Sequence, residues 1–221
     1  MASKKQVPEE NQAVGQAVSG AEVWLKQNGK LLGNTALVVL VVIAALFALN
    51  KWYLKPAKQE ALGQMFAAER YFAQGEFEKA LNGDGNALGF AEISAQYGSK
   101  AGKIVNFYEG VCQLQLKNYD EAVKCLSKYN GKDAIIAARA LCCLGDAYVG
   151  AGDSAKGLAS YEKAIAKSDN VLAAQYLLKA GLVAEQLGQK EKALGFYQTI
   201  ADKYPESVEA YDIQKYIYRL K

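Results

Sequence analysis

Histidine is missing from this sequence of 221 residues. The commonest general base and the commonest zinc ligand are thereby removed together. Proline is scarce as well: Pro8, Pro56 and Pro205 are the only three, so long helical stretches can run unbroken between them. The four cysteines, Cys112, Cys125, Cys142 and Cys143, contain no C-x-x-C pair. Adjacent Cys142 and Cys143 cannot both face one metal from a helix, and no thiol has an imidazole to activate it. Cys112 and Cys125 fall on the two arms of one expected helical hairpin, so a disulfide stays open beside the plainer reading of small core residues. Net charge is only +3, with no dense Lys/Arg face for nucleic acid. Carboxylates are scattered without a convergent pair, and no Gly-rich phosphate loop follows a strand. In the stretch NGDGN (residues 82–86), Ala87 and Ile93 stand where a calcium loop needs glycine and glutamate. These gaps leave no catalytic residue, metal, cofactor or small-molecule substrate to assign, and the chain reads as a non-enzyme.

What is present favours helix. Hydrophobic residues make up 51% and charged ones 22%, with alanine, leucine, lysine and glutamate abundant. Residues 1–30 read as a short tail. Its first 13 residues are polar and expected to be unfolded. Val14, Val18, Ala21 and Leu25 then make a weak helical stripe beside Trp24, stopping at Asn28–Gly29. An interfacial helix and a nascent helix are both open for it. Leu31 to Leu49 carries no charge, and at 1.5 Å per residue its length of roughly 28 Å matches the hydrocarbon thickness of a bilayer. Lys51, Trp52, Tyr53 and Lys55 follow as an interfacial belt. Residues 31–54 are therefore expected to be one transmembrane anchor, with Trp24, Trp52 and Tyr53 at the interfaces. A signal peptide and a buried helix are the rivals; the long preceding tail and the missing A-x-A site speak against the first. Lysines flank both ends, so charge alone does not orient the span.

From residue 57 to 221 large and small residues recur. Number Leu141 as position 4; then Leu144 is 7, Gly145 is 8, Tyr148 is 11, Gly157 is 20, Tyr161 is 24 and Ala164 is 27. Small residues at 8, 20 and 27 let two antiparallel helices approach, and large ones fill the space beside them. The set resembles the tetratricopeptide repeat, a helix–turn–helix unit of 34 residues. Three to four units can be laid on the chain. Ala68, Tyr71, Gly75 and Ala80 mark a partial first unit, interrupted by NGDGN before a helix around Ala87–Tyr97. Gly110, Ala122 and Leu126 mark the second, and Leu177, Gly181, Gly188, Ala193, Tyr197 and Pro205 the fourth. The last stretch, Ser207–Lys221, is expected to cap the array with Val208, Tyr211, Lys215 and Ile217–Tyr218. The predicted fold is all-α: one N-terminal transmembrane helix, then a repeat solenoid.

The resemblance implies an inner groove lined by first-helix positions 2, 5, 9, 12 and 13. Those are Ile104, Phe107, Val111, Leu114 and Gln115 in unit two, Arg139, Cys142, Asp146, Val149 and Gly150 in unit three, and Gln175, Leu178, Leu182, Glu185 and Gln186 in unit four. The alternative is that the chain's own helices fill that groove. Met65 and Glu69 occupy places where chaperone-binding members carry a lysine and an asparagine, so that mode of recognition is not expected. The layout as a whole, and WLKQNGK (Trp24–Lys30) before the anchor, resembles the YfgM-type ancillary subunits of the SecYEG translocon. That resemblance implies a bacterial inner-membrane protein with a cytoplasmic tail and periplasmic repeats, whose partners are translocon subunits and periplasmic chaperones. Four cysteines sit awkwardly in an oxidising compartment. Two functions follow: a tethered protein-binding adaptor, or a constitutive structural subunit of an envelope complex.

Overall fold

A computed structural model describes the backbone of residues 9–221 and the side chains of Trp24 and of residues 27–221. The chain divides into two compact units, Met1–Pro56 and Ala57–Lys221. In the first, helix α1 spans Glu9–Leu49 and passes into a π-helical turn, Asn50–Leu54. The wider turn accommodates Pro56, whose ring has no N–H for the regular ladder. Two expectations are corrected here. Residues 9–13 are helical, and the helix runs on through Asn28–Gly29, where the Asn28 side-chain amide donates to the Trp24 carbonyl at 2.9 Å. The stripe of Val14, Val18, Ala21 and Leu25 lies outside the described side chains, as do residues 1–8. Trp24, Trp52 and Tyr53 are exposed, as are most residues of Leu31–Leu49.

In the second unit, no strand occurs among the described residues. Helices α2 (Lys55–Ala73) and α3 (Phe77–Asn82) form the first pair, followed by α4 (Phe90–Tyr97) and a 3-10 turn, Gly98–Ala101. Three longer pairs follow: α5 (Ile104–Gln115) with α6 (Tyr119–Lys128), α7 (Ala134–Gly150) with α8 (Ser154–Lys167), and α9 (Leu172–Gln186) with α10 (Lys190–Lys203). A 3-10 turn, Val208–Ala210, leads to α11 (Ile213–Leu220).

Each pair is closed by the same turn, with one residue in the left-handed region at position 15: Gly75, Lys117, Gly152 and Gly188, at φ of 77°, 63°, 88° and 74°. The residue after it reaches back five positions, as when Gln189 N–H donates to the Ala184 carbonyl at 2.8 Å. Glycine adopts this backbone freely; Lys117 holds it at a cost of about 1 kcal/mol. Position 8 is small because position 24 lies against it. A Cβ on Gly110 would stand 2.6 Å from Leu126, one on Gly145 2.5 Å from Tyr161, and one on Gly181 2.3 Å from Tyr197.

The first pair departs from the others. Its second helix ends at Asn82, so position 24 is Asp84, in a loop. The Asp84 carboxylate accepts from the Tyr71 hydroxyl (2.7 Å) and from the Asn86 and Ala87 N–H groups (2.9 and 2.8 Å). Those bonds, the tyrosine's first, hold its pKa down at about 2. The helix expected around Ala87–Tyr97 starts only at Phe90, since Gly89 packs on the Leu81 carbonyl in extended backbone.

The C-terminal expectation is also corrected. Ser207 Oγ accepts from Ala210 N–H and starts a short turn instead of a long helix. Ile213 and Ile217 face the core, while Val208 and Tyr211 are 88% and 90% exposed. A turn between Ala210 and Ile213 resets the helical phase, and no stripe drawn through Val208 survives that reset.

Candidate functional site

The first helices of successive pairs, α5, α7 and α9, carry the residues implied as a groove. Leu114, Gln115, Arg139, Cys142, Cys143, Asp146, Leu172, Gln175, Tyr176 and Lys179 enclose a cavity of about 260 Å³. A second cavity of about 410 Å³ is lined by Leu114, Gln115, Lys117, Tyr119, Asp146, Val149, Gly150 and Tyr161. Three residues are common to both, so they form one depression running from α5 across α7 to α9. Leu114, Arg139, Cys142, Asp146 and Val149 are thus brought together.

The other implied residues lie elsewhere. Phe107 and Val111 are 8% and 7% exposed and belong to the core shared by α5, α6 and α7. Phe107 stacks at a tilt on Tyr108 and Tyr129, with ring centroids 5.7 and 5.9 Å apart. Cys142, at 4%, forms floor rather than wall. Ile104 is half-buried against the same aromatic cluster. Leu178 is half-buried and Leu182 is 43% exposed, both on α9 outside the two cavities.

The two acidic residues are committed within the fold. Asp146 receives Lys179 Nζ at 2.7 and 2.6 Å and the Tyr161 hydroxyl at 2.7 Å. Burial opposes the Lys179 charge, but Cys142 and the bonded Asp146 outweigh it, and the ammonium pKa is raised. Glu185 accepts the Tyr197 hydroxyl at 2.6 Å and Arg219 at 2.7 and 2.8 Å, which ties α11 to α9. Burial raises the pKa of both tyrosines, so they stay neutral donors. All four cysteines are free. Burial, the leading cause, pushes Cys112 and Cys125 up to about 12 and Cys143 to about 11, with Cys142 raised as well. Such thiols are protonated and inert at neutral pH. Among the described residues no group of three or more cysteines or carboxylates gathers to hold a metal.

The sequence profile of the tetratricopeptide repeat family matches residues 144–208. No curated protein matches the chain in sequence. Among solved structures, a crystal structure of MamA protein aligns with a TM-score of 0.57 at 18% identity, covering 74% of this chain and 82% of that one. A second MamA crystal structure gives 0.53 at 19% identity, covering 69% and 91%. The fold is of the tetratricopeptide-repeat type.

Reading repeat positions alone misses three determinants of the depression. Lys179 pairs with Asp146 from 33 residues away, and the Tyr161 hydroxyl donates to the same carboxylate from 15 residues away. Lys117 is the third. One signal was available for it: the other three repeats place glycine at its position.

Proposed function

We propose that this protein is a membrane-tethered adaptor that docks protein partners on the inner face of α5, α7 and α9. One observation carries the reading. That face keeps a depression with Leu114, Val149 and Leu172 on its walls, and neither α4 nor α11 contributes to its lining. Mixed apolar and polar lining over helical ridges suits a peptide or a partner helix. The charge-free run in α1, exposed along its length, supports a single bilayer span with Trp24, Trp52 and Tyr53 as interfacial residues. Tethering confines the repeats near membrane partners and lets weak groove contacts suffice. The likeness in layout to YfgM-type subunits supports a place beside the SecYEG translocon of a bacterial inner membrane, with the tail cytoplasmic and the repeats contacting periplasmic chaperones.

In-cell crosslinking followed by purification in mild detergent tests this, with wild type beside Leu172→Asp, an exposed position on the wall of the depression. Phe107 is unsuited to such a test, since a charge there would unfold the core. Partners recovered with wild type and lost with Leu172→Asp, at unchanged assembly state, support the adaptor. Partners retained by both variants in a fixed complex favour the structural-subunit alternative. Recovery of the protein alone in every case refutes both.

A further inference from the structure

The groove is uneven in charge, and two of its cations have no partner. Lys117, Arg139 and Lys179 line the joined cavities against a single carboxylate, Asp146. Lys179 and Asp146 satisfy each other. Among the described residues no ion pair or side-chain hydrogen bond engages Arg139 or Lys117. Lys117 is notable for its backbone too. It holds the left-handed conformation that Gly75, Gly152 and Gly188 supply in the other three turns. A lysine kept where glycine fits better, on the rim of a groove, is strain at a binding surface. Leu114, Val149 and Leu172 line the same joined cavities.

We infer that this groove takes an acidic protein segment, an extended stretch whose carboxylates meet Arg139 and Lys117 and whose apolar side chains rest on Leu114, Val149 and Leu172. The inference builds on the adaptor reading and specifies the partner's chemistry. A guanidinium with both edges free pairs with a carboxylate through two parallel N–H bonds, a geometry that neutral side chains do not match. A basic segment meets two uncompensated cations and is repelled. Binding weakens as salt rises, because both cations lie at the solvent boundary.

The test pans a displayed library of random linear peptides against the full chain in detergent micelles. Three variants run beside it: Arg139→Glu, Lys117→Gly and, as a control for overall charge, Arg70→Glu on α2. Wild type and Arg70→Glu are expected to enrich peptides in which Asp or Glu alternates with apolar residues. Arg139→Glu loses that bias, and the best wild-type peptide binds it roughly tenfold or more weakly. Lys117→Gly also binds more weakly while melting no lower than wild type, which separates lost charge from lost fold. Acid bias that survives both Arg139→Glu and Lys117→Gly, or that Arg70→Glu abolishes equally, overturns the inference but leaves the adaptor reading standing. No enrichment over empty micelles overturns both.

Discussion

Gly181 tests the packing logic of the repeats most directly. In the interior of an exposed helix, glycine to alanine gains about 1 kcal/mol of helix propensity. At Gly181 the added Cβ would stand 2.3, 2.7 and 2.9 Å from Cε1, Cζ and Cδ1 of Tyr197, where carbon atoms prefer about 3.5–4 Å. The ring has nowhere to go. Tyr197 is fully buried, its hydroxyl is bonded to Glu185 at 2.6 Å, and Tyr216 lies 5.2 Å away centroid to centroid. Overpacking of this kind costs about 1–3 kcal/mol, and loosening the hydroxyl bond about 1 more. Gly181→Ala is therefore expected to destabilise by about 1–3 kcal/mol net, a drop in Tm of roughly 2–10 °C for a unit of this size. Gly195 on α10 is the matched control, since a Cβ there meets nothing within 4 Å; Gly195→Ala is expected to raise Tm by up to about 3 °C. Far-UV circular dichroism of the full chain in detergent reads both. Tryptophan fluorescence does not, because Trp24 and Trp52 both lie in the first unit. If Gly181→Ala melts at or above Gly195→Ala, the tight contact between positions 8 and 24 is not what holds the helix pairs together.

Lys117→Gly relieves a left-handed backbone and is expected to stabilise by about 1 kcal/mol, read as a higher Tm. Asp146→Asn removes the charge that pairs with Lys179 and leaves a weaker, neutral acceptor for the buried Tyr161 hydroxyl, and is expected to cost about 1–2 kcal/mol in the same assay. Ile217→Ala, on the buried side of α11, is expected to cost about 2–4 kcal/mol and to expose the end of α10 to protease. The raised thiol pKa values set a pH window. The protonated thiol is favoured in the fold, so its contribution is full below the ordinary value near 9 and is lost as pH climbs toward 11–12. Denaturant midpoints are expected to hold from pH 7 to 9 and to fall above that. An impermeant maleimide at pH 7 is expected to label Val208→Cys, at an 88% exposed site, and to leave wild type unlabelled. If the proposed anchor spans a membrane, the same reagent on intact cells reads on which side the repeats lie.

Local chemistry was readable in the sequence because repeat contacts are local. Positions 8 and 24 touch within one helix pair, so Gly145 with Tyr161 and Gly181 with Tyr197 could be matched by spacing alone. The charge-free stretch of α1 was equally plain, being a matter of composition. What residues contribute to the groove was not local. Phe107 and Val111 have groove positions by number, but α6 and α7 close over them. How deeply a first-helix residue sinks depends on the neighbouring pair, which spacing does not describe. Asp146 and Glu185 look like recognition points until Lys179 from α9 and Arg219 from α11 occupy them. The C-terminal phase failed for a related reason: the turn between Ala210 and Ile213 rotates every residue after it.

By itself, then, the sequence determined a helical chain with an apolar run near its start and stacked helix pairs after it, because periodicity and residue size act over a few turns. Only the tertiary structure decided which side chains reach the surface of the inner face, and which charges there remain unspent. Burial and ion pairing are set by neighbours that the chain brings in from tens of residues away.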